Sequence, residues 1–263
     1  MYLNIWTNFR HDKQSGLDWA EMELCDRGNF QKAEEVTRRR VLDYHINDKD
    51  GLLMLGDIFL EWGETDSSKY EEARKTYADL INLYGATDLY RSRMMRYFIR
   101  TDKLKNVLEL KNTFFPKEKS LVPEDWVELS GYLLEKLYGD LTRAEEYLRS
   151  QIEDLRSMLE ISVRLAPENP ASHYNYAKYF LENGNFENSK QELKLSKKDI
   201  YRQIDACRLL GERYASTREY LKAQETYTKG ITLFQNENQK NGFSGDKNTG
   251  MLYADMGNLE YFI

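Results

Sequence analysis

The sequence is poor in the residues that build metal centres and redox sites. Its 263 residues include only three histidines and two cysteines. His11, His45 and His173 are too far apart to share one helix face, and no Cys-x-x-Cys motif occurs. No glycine-rich phosphate-binding loop follows a strand, because no strand pattern is found. We therefore expect no catalytic site, no bound metal and no cofactor.

Long apolar runs and an excess of basic charge are also missing. No run reaches the roughly 18 apolar residues of a membrane span. The net charge of −6 gives no reason to expect nucleic acid as a partner. Residues 1–16 lack the basic start and apolar core of a secretory signal. Cys25 and Cys207 are predicted to be reduced packing residues. These features favour the cytoplasm, and an envelope or periplasmic location would require targeting segments outside this sequence.

What the sequence does contain is a recurring turn. The segment Gly184-Asn185-Phe186-Glu187-Asn188-Ser189 lies between two amphipathic runs, and similar segments begin at Gly28, Gly139 and Gly257. A glycine at this place closes one helix, and a small residue five positions later lets the next helix pack tightly against it. A helix pair of this kind cannot bury its apolar face alone, so it stacks on the next pair.

The pattern resembles the tetratricopeptide repeat, a helix–turn–helix unit of about 34 residues. The small residue of the second helix recurs at Ala33, Ala73, Val107, Ala144, Ser189 and Ala223, with Phe262 at the last corresponding position. The resemblance implies an all-α, right-handed superhelical solenoid of stacked antiparallel helix pairs. We predict a single solenoid domain over residues 1–263, with a leading helix at 1–14, repeats at 15–47, 48–86, 87–119, 120–168, 169–203 and 204–240, and a partial repeat at 245–263.

The C-terminal end of the pattern is incomplete. A polar linker is predicted at 236–246, followed by a helix from about Lys247 to Met256. Since the second helix of this last pair barely begins, we expect its apolar residues to be only partly covered and this end to fray or to self-associate. The apolar residues concerned are Met251, Leu252, Tyr253, Leu259, Tyr261 and Phe262.

The resemblance also implies a groove. In tetratricopeptide proteins the first helices line a concave surface that holds an extended peptide or a partner helix. The pairs found one helical turn apart at these positions are not the Lys/Asn pair of chaperone-binding members, so a clamp for a chaperone's C-terminal carboxylate is not expected. Carried over by register, the candidate groove residues include Cys25, Asp57, Leu60, Arg96, Tyr174, Lys178, Arg208 and Glu212.

One cationic patch stands out in this acidic chain. Six lysines and arginines lie between Arg91 and Lys105, and Arg93, Arg96 and Arg100 are spaced to share one helix face. Two interpretations are open. The arginines form a docking surface for an acidic segment or helix of a partner protein, or they pair with acidic residues of neighbouring repeats.

The resulting expectation is a scaffold or adaptor for protein–protein interactions, and not an enzyme. The irregular repeat lengths and tyrosine-rich packing favour a bacterial cell-envelope or motility assembly. The alternative is a helical regulatory domain of a larger multidomain enzyme. An RNA-binding helical repeat is disfavoured because its base-reading residues and basic charge are missing.

Overall fold

Helices form all the regular structure of the described residues, and no strand occurs among them. The computed structural model describes residues 12–114, 121–138, 154–196, 200–241 and 247–259. The chain divides into two compact units, Met1–Leu121 and Val122–Ile263. None of the described helices is both long enough and apolar enough to span a membrane. Most of the predicted leading helix, including His11, lies outside the described residues. So do three other residues named in the sequence analysis: Ala144, Tyr261 and Phe262.

Unit 1 contains three helix pairs within its described part. Each pair has a first and a second helix, and the second helix of the first pair continues as a π-helical turn at Thr37–Leu42. The pairs are α1 (Lys13–Cys25) with α2 (Phe30–Val36), α3 (Lys49–Trp62) with α4 (Lys69–Tyr84), and α5 (Asp88–Arg100) with α6 (Leu104–Phe114).

Unit 2 repeats the arrangement and ends on a lone helix, which packs on both members of the last pair. The pairs are α7 (Pro123–Tyr138) with α8 (Leu155–Leu165), α9 (Pro170–Glu182) with α10 (Phe186–Leu195), and α11 (Ile200–Ser216) with α12 (Tyr220–Asn241), followed by α13 (Lys247–Leu259).

Small residues set the distance between the two helices in five of the described pairs. The described small residues of the second helices are all fully buried, as the predicted register requires. On the facing first helices, a Cβ added at Gly56 would lie 2.4 Å from Cε1 of Tyr77, and one added at Gly211 would lie 2.2 Å from Cε1 of Tyr227. A tyrosine ring therefore rests directly on the backbone of the first helix. The buried small residues are Ala33, Ala73, Val107, Ser189 and Ala223.

Three turns between paired helices share one geometry. Asp102, Gly184 and Arg218 have φ values of 54°, 73° and 63°. In each, the N–H of the following residue bonds to the carbonyl oxygen five residues earlier, which is the Schellman arrangement. These bonds join Lys103 to Phe98, Asn185 to Phe180, and Glu219 to Tyr214, each at 2.8 Å.

The asparagine that follows the turn glycine makes a hydrogen bond to each of the two helices. The N–H of Asn185 closes α9, and its side-chain oxygen accepts from the N–H of Asn188 at 3.3 Å to cap α10. Asn29 caps α2 in the same way through the N–H of Lys32 at 3.2 Å. This double role explains why a Gly-Asn pair marks these turns in the sequence.

We expect Arg218→Gly to stabilise the protein by up to about 1 kcal/mol. The left-handed conformation costs an L-residue roughly 1–2 kcal/mol, part of which glycine returns through its greater freedom in the unfolded chain. Gly184→Ala should have the opposite sign, although its turn has room for a methyl group. Urea denaturation midpoints measure both effects. Destabilisation by Arg218→Gly would contradict the assigned turn.

Two predicted boundaries near the C-terminus are wrong. Helix α12 continues to Asn241, into the segment predicted as a linker, because its polar residues form the exposed side of a helix. Helix α13 continues through Gly257 to Leu259, and Gly257 lies in open space within it. Leu252 and Leu259 are buried, at 0% and 3% exposure, rather than partly covered.

Candidate functional site

The first helices of unit 1 line an open groove with a volume of about 480 Å³. Six of its seven lining residues come from α1, α3 and α5, and the seventh is the first residue of α2. Four of them stand at the positions that the repeat register assigns to the groove. The lining residues are Leu24, Cys25, Phe30, Asp57, Leu60, Glu61 and Arg96.

The groove has an apolar floor and a charged rim. Leu60 is only 1% exposed and forms part of the floor. The ring of Phe30 stacks on Trp62 with 5.9 Å between centroids, and the Lys69 ammonium lies 4.4 Å from the centroid of that indole. Since these contacts hold the aromatic wall in place, the groove is largely formed before a ligand arrives.

Asp57 joins three helices beneath the rim. Tyr77 Oη of α4 donates to Asp57 Oδ1 at 2.7 Å, and Arg93 Nε of α5 lies 2.9 Å from the same oxygen. Burial raises the pKa of the Asp57 carboxyl above its ordinary value, against the opposing effect of Arg93. Burial, reinforced by Asp57, also raises the pKa of Tyr77. Arg93 thus serves to hold successive first helices together.

The arginine face of α5 is engaged by the preceding helix pair. Arg100 pairs with Glu64 and lies 3.9 Å, from Nη2 to Oε1, from Glu61. With the Arg93–Asp57 pair, this places acidic residues of α3 and its following turn opposite two arginines of the patch. Pairing between neighbouring repeats, one of the two open interpretations, is therefore what the structure shows for Arg93 and Arg100. Arg96 lines the groove itself.

A second cluster of predicted site residues lies on α9 and α11 of unit 2. Arg208 donates from Nε to Asp205 Oδ1 at 3.0 Å and from Nη1 to Glu212 Oε1 at 2.7 Å. Tyr174 on α9 donates to the same Asp205 carboxylate. The Arg208 side chain is 11% exposed, and both of its bonds lie within α11. The bond from Tyr174 to Asp205 is the one that joins α9 to α11, two successive first helices. Lys178 is half-buried on α9, apart from this cluster.

A smaller cavity of about 280 Å³ adjoins that cluster between α11, α12 and α13. Glu212 and Asp255 both line it, and burial raises the pKa of each carboxyl. Asp255 Oδ2 is buried and has no hydrogen-bond partner within the described residues. Tyr227, the ring that lies on Gly211, forms another wall.

His173 occupies a buried structural position. Its Nδ1 lies 2.7 Å from Glu192 Oε2 and its Nε2 lies 2.9 Å from the carbonyl oxygen of Pro167. The ring therefore links α9 to α10 and to the loop before α9. Across the residues that the structure describes, no group of three or more His, Cys, Asp or Glu side chains is arranged to hold a metal ion.

We expect His173→Ala to lower the free energy of unfolding by about 2–3 kcal/mol, because it leaves both the Glu192 carboxyl group and the Pro167 carbonyl oxygen without their ring partner. His45→Ala provides the matched control, since His45 is exposed. That change should stay within about 0.5 kcal/mol of the parent protein. Equal losses for the two variants, measured by urea denaturation, would exclude the bridging role.

Comparison with known proteins identifies the fold. No protein-family model matches the sequence, and no curated protein matches it. Among solved structures, PilF of Pseudomonas aeruginosa superposes with a TM-score of 0.61 and 11% identity, covering 95% of this chain and 97% of that one. The assembly chaperone of RpL4, Acl4, gives a TM-score of 0.54 and 15% identity, with 95% and 96% coverage. The fold is of the tetratricopeptide-repeat type. The predicted all-α architecture of stacked helix pairs is thereby confirmed.

Within this tetratricopeptide-repeat fold, the predicted partner-binding residues all lie on first helices, namely Cys25, Asp57, Leu60, Arg93, Arg96, Arg100, Tyr174, Lys178, Arg208 and Glu212. The structure brings Asp57 together with Arg93. It joins Tyr174 to Arg208 through a shared aspartate, and Arg208 in turn pairs with Glu212. Sequence reasoning missed that aspartate, although its position three residues before Arg208 marks it as a helical neighbour. The pairing of Arg100 had no such signal, because its partners lie in another repeat. The missed partners are Asp205, Glu61, Glu64 and Tyr77.

Proposed function

We propose that this protein is a scaffold or adaptor that binds a segment of a partner protein in the groove of unit 1. The observation that carries the proposal is the open 480 Å³ groove on the first helices, with its apolar floor and charged rim. Such a mixture is typical of ligand sites, which bury apolar groups and fix orientation with a few polar ones. A neighbour in fold that is named as an assembly chaperone supports a role in protein binding.

The groove favours a segment that inserts one large apolar side chain. Leu24, Phe30 and Leu60 would receive this side chain, and the rim residues Glu61 and Arg96 would make polar contacts on either side. Because Asp57 is already held by Tyr77 and Arg93, the wall beneath the rim need not rearrange. Little conformational freedom is then lost on binding at that wall.

The partner segment that we propose is acidic, and a second contact is proposed at the C-terminal end. An acidic segment or helix would reach the Arg91–Lys105 patch beside Arg96, competing with Glu61 and Glu64 for the arginines. A second contact, self-association through the C-terminal end, would use the exposed Met251 and Tyr253 of α13. The setting that we propose is a bacterial cell-envelope or motility assembly, with regulation of an attached enzyme as the alternative.

A groove-filling variant tests the proposal. Peptides would be selected from a displayed random library against the full chain, and their Kd values measured by fluorescence anisotropy. Cys25 is exposed at the rim, so Cys25→Trp fills the groove without overpacking the core. Lys75→Trp on the exposed side of α4 is the matched control. We expect at least about a tenfold loss for Cys25→Trp, equivalent to about 1.4 kcal/mol, and none for the control.

The same peptides show which results would contradict the proposed binding site. If none of the selected peptides loses affinity in Cys25→Trp, or if both tryptophan variants weaken binding equally, the groove of unit 1 is not the binding site. A folding defect is excluded by comparing the urea midpoints of the two variants with that of the parent protein.

A further inference from the structure

A separate pocket in unit 2 lies between two second helices and one first helix. It has a volume of about 270 Å³ and is bounded by α10, α11 and α12. Leu193, Leu210 and Leu233 contribute aliphatic surface from each of the three helices. The volume falls below the roughly 300–1,000 Å³ of sites for drug-sized ligands. The pocket therefore fits a single apolar side chain better than a cofactor.

The rim of this pocket is cationic although the chain as a whole is acidic. Lys190, Lys194 and Lys229 line it, and no Asp or Glu does. Lys190 is partly engaged, with its Nζ 3.3 Å from Glu187 Oε1. Lys194 and Lys229 are exposed, and the described residues place no carboxylate within ion-pairing distance of either one. Within the described part of the chain, two ammonium groups thus flank an apolar pocket with no carboxylate paired to them.

The side chains that line the pocket favour an acidic peptide over nucleic acid as its ligand. Nucleic acid would also be attracted by lysines, but binding of single strands relies on aromatic side chains that stack with bases. The surfaces within this pocket are aliphatic, from Leu193, Leu210 and Leu233. Carboxylates of a peptide match the lysines, and an apolar side chain between them matches the floor.

We propose that the pocket between α10, α11 and α12 is a docking site for an acidic peptide segment of a partner protein, with one large apolar side chain inserted between Lys194 and Lys229. The site combines the second helices α10 and α12 with the first helix α11, and none of its lining residues belongs to the groove of unit 1. It therefore does not rest on the function proposed for that groove.

A defined peptide tests this site. The probe is a fluorescein-labelled peptide with one Phe flanked on each side by two Glu, and its binding to the full chain is followed by anisotropy at 50 mM salt. A peptide with Ser in place of Phe and a peptide with Gln in place of each Glu are the controls. We expect each control to bind at least about tenfold more weakly. Affinity for the probe should also fall as salt screens the lysines.

Replacing the charged lysines of the rim tests whether the probe peptide binds at this pocket. The double variant Lys194→Gln/Lys229→Gln should weaken probe binding at least about tenfold. The matched control, Lys75→Gln/Lys240→Gln, removes the same charge from exposed lysines outside the pocket and should leave the Kd unchanged. Both lysines of the test pair are exposed, so folding should be preserved in both doubles.

Several results would overturn the proposal. These are undetectable binding of the probe, equal Kd values for the two double variants, and loss of probe binding in Cys25→Trp, which would assign the peptide to the groove of unit 1. Tighter binding of an oligonucleotide of equal charge, lost in the Lys194/Lys229 variant, would assign the pocket to nucleic acid instead. Failure of the groove experiment with success here leaves this site standing.

Discussion

Gly211→Leu is expected to unfold the helix pair α11–α12. Even a Cβ at this position would lie 2.2 Å from Tyr227 Cε1, and that ring is 2% exposed and cannot swing aside freely. Overpacking usually costs about 1–3 kcal/mol, and a full leucine here should cost about 3 kcal/mol or more. Ala223→Trp should act similarly, because Ala223 is fully buried on the facing helix. Urea denaturation and hydrogen exchange across residues 200–241 measure the effect.

The control for this prediction is another glycine in unit 2. A Cβ added at Gly257 in α13 meets no atom within 4 Å. Gly257→Ala should therefore stabilise the protein by about 0.5–1 kcal/mol, through the better helix propensity of alanine. If Gly211→Leu and Ala223→Trp both left the melting temperature unchanged, the assigned register would be wrong.

Tyr77→Ala is expected to produce the second large loss of stability. The ring is fully buried against Gly56, and removing a large buried aromatic side chain costs about 3–5 kcal/mol. The change also removes the hydroxyl that donates to Asp57, so the wall beneath the groove loses one of its anchors. Denaturation should report the loss in unit 1, across residues 12–114.

Tyr77→Phe separates packing from hydrogen bonding. It keeps the ring and removes only the donor to Asp57, and should cost about 1 kcal/mol. A groove-binding peptide should bind Tyr77→Phe somewhat more weakly. In this variant Asp57 keeps its contact with Arg93 and loses its contact with Tyr77. Equal stability losses for the alanine and phenylalanine variants would show that the ring does not fill the space beside Gly56.

The parts of the fold that could be predicted from sequence are those fixed by local sterics. Ala33, Ala73 and Ser189 marked the second helices correctly, because only a small side chain fits where two helices approach this closely. The turns at Asp102 and Arg218 carried no comparable signal, since a left-handed residue other than glycine cannot be recognised from its type alone. The polar end of α12 reads as a linker in sequence, because an exposed helix and a linker have similar compositions.

The candidate site was predictable only in outline. Helical register placed Asp57, Arg96 and Arg208 on first helices, since that assignment needs only the repeat period. The ion pair between Asp57 and Arg93 spans 36 residues and two repeats, so it depends on how the pairs stack. The lysine-rimmed pocket escaped prediction because its residues lie on three helices and share no sequence motif.

The central claim is that a partner segment lies in the groove formed by the first helices of unit 1. Photo-crosslinking tests this most directly, with a benzophenone placed at the apolar position of a library-selected peptide and the attachment sites mapped by mass spectrometry on the full chain. We predict crosslinks at residues 24–30 and 57–61 and at Arg96, and their loss in Cys25→Trp. Crosslinks confined to residues 31–36 of α2 and to α4 would contradict this placement of the partner.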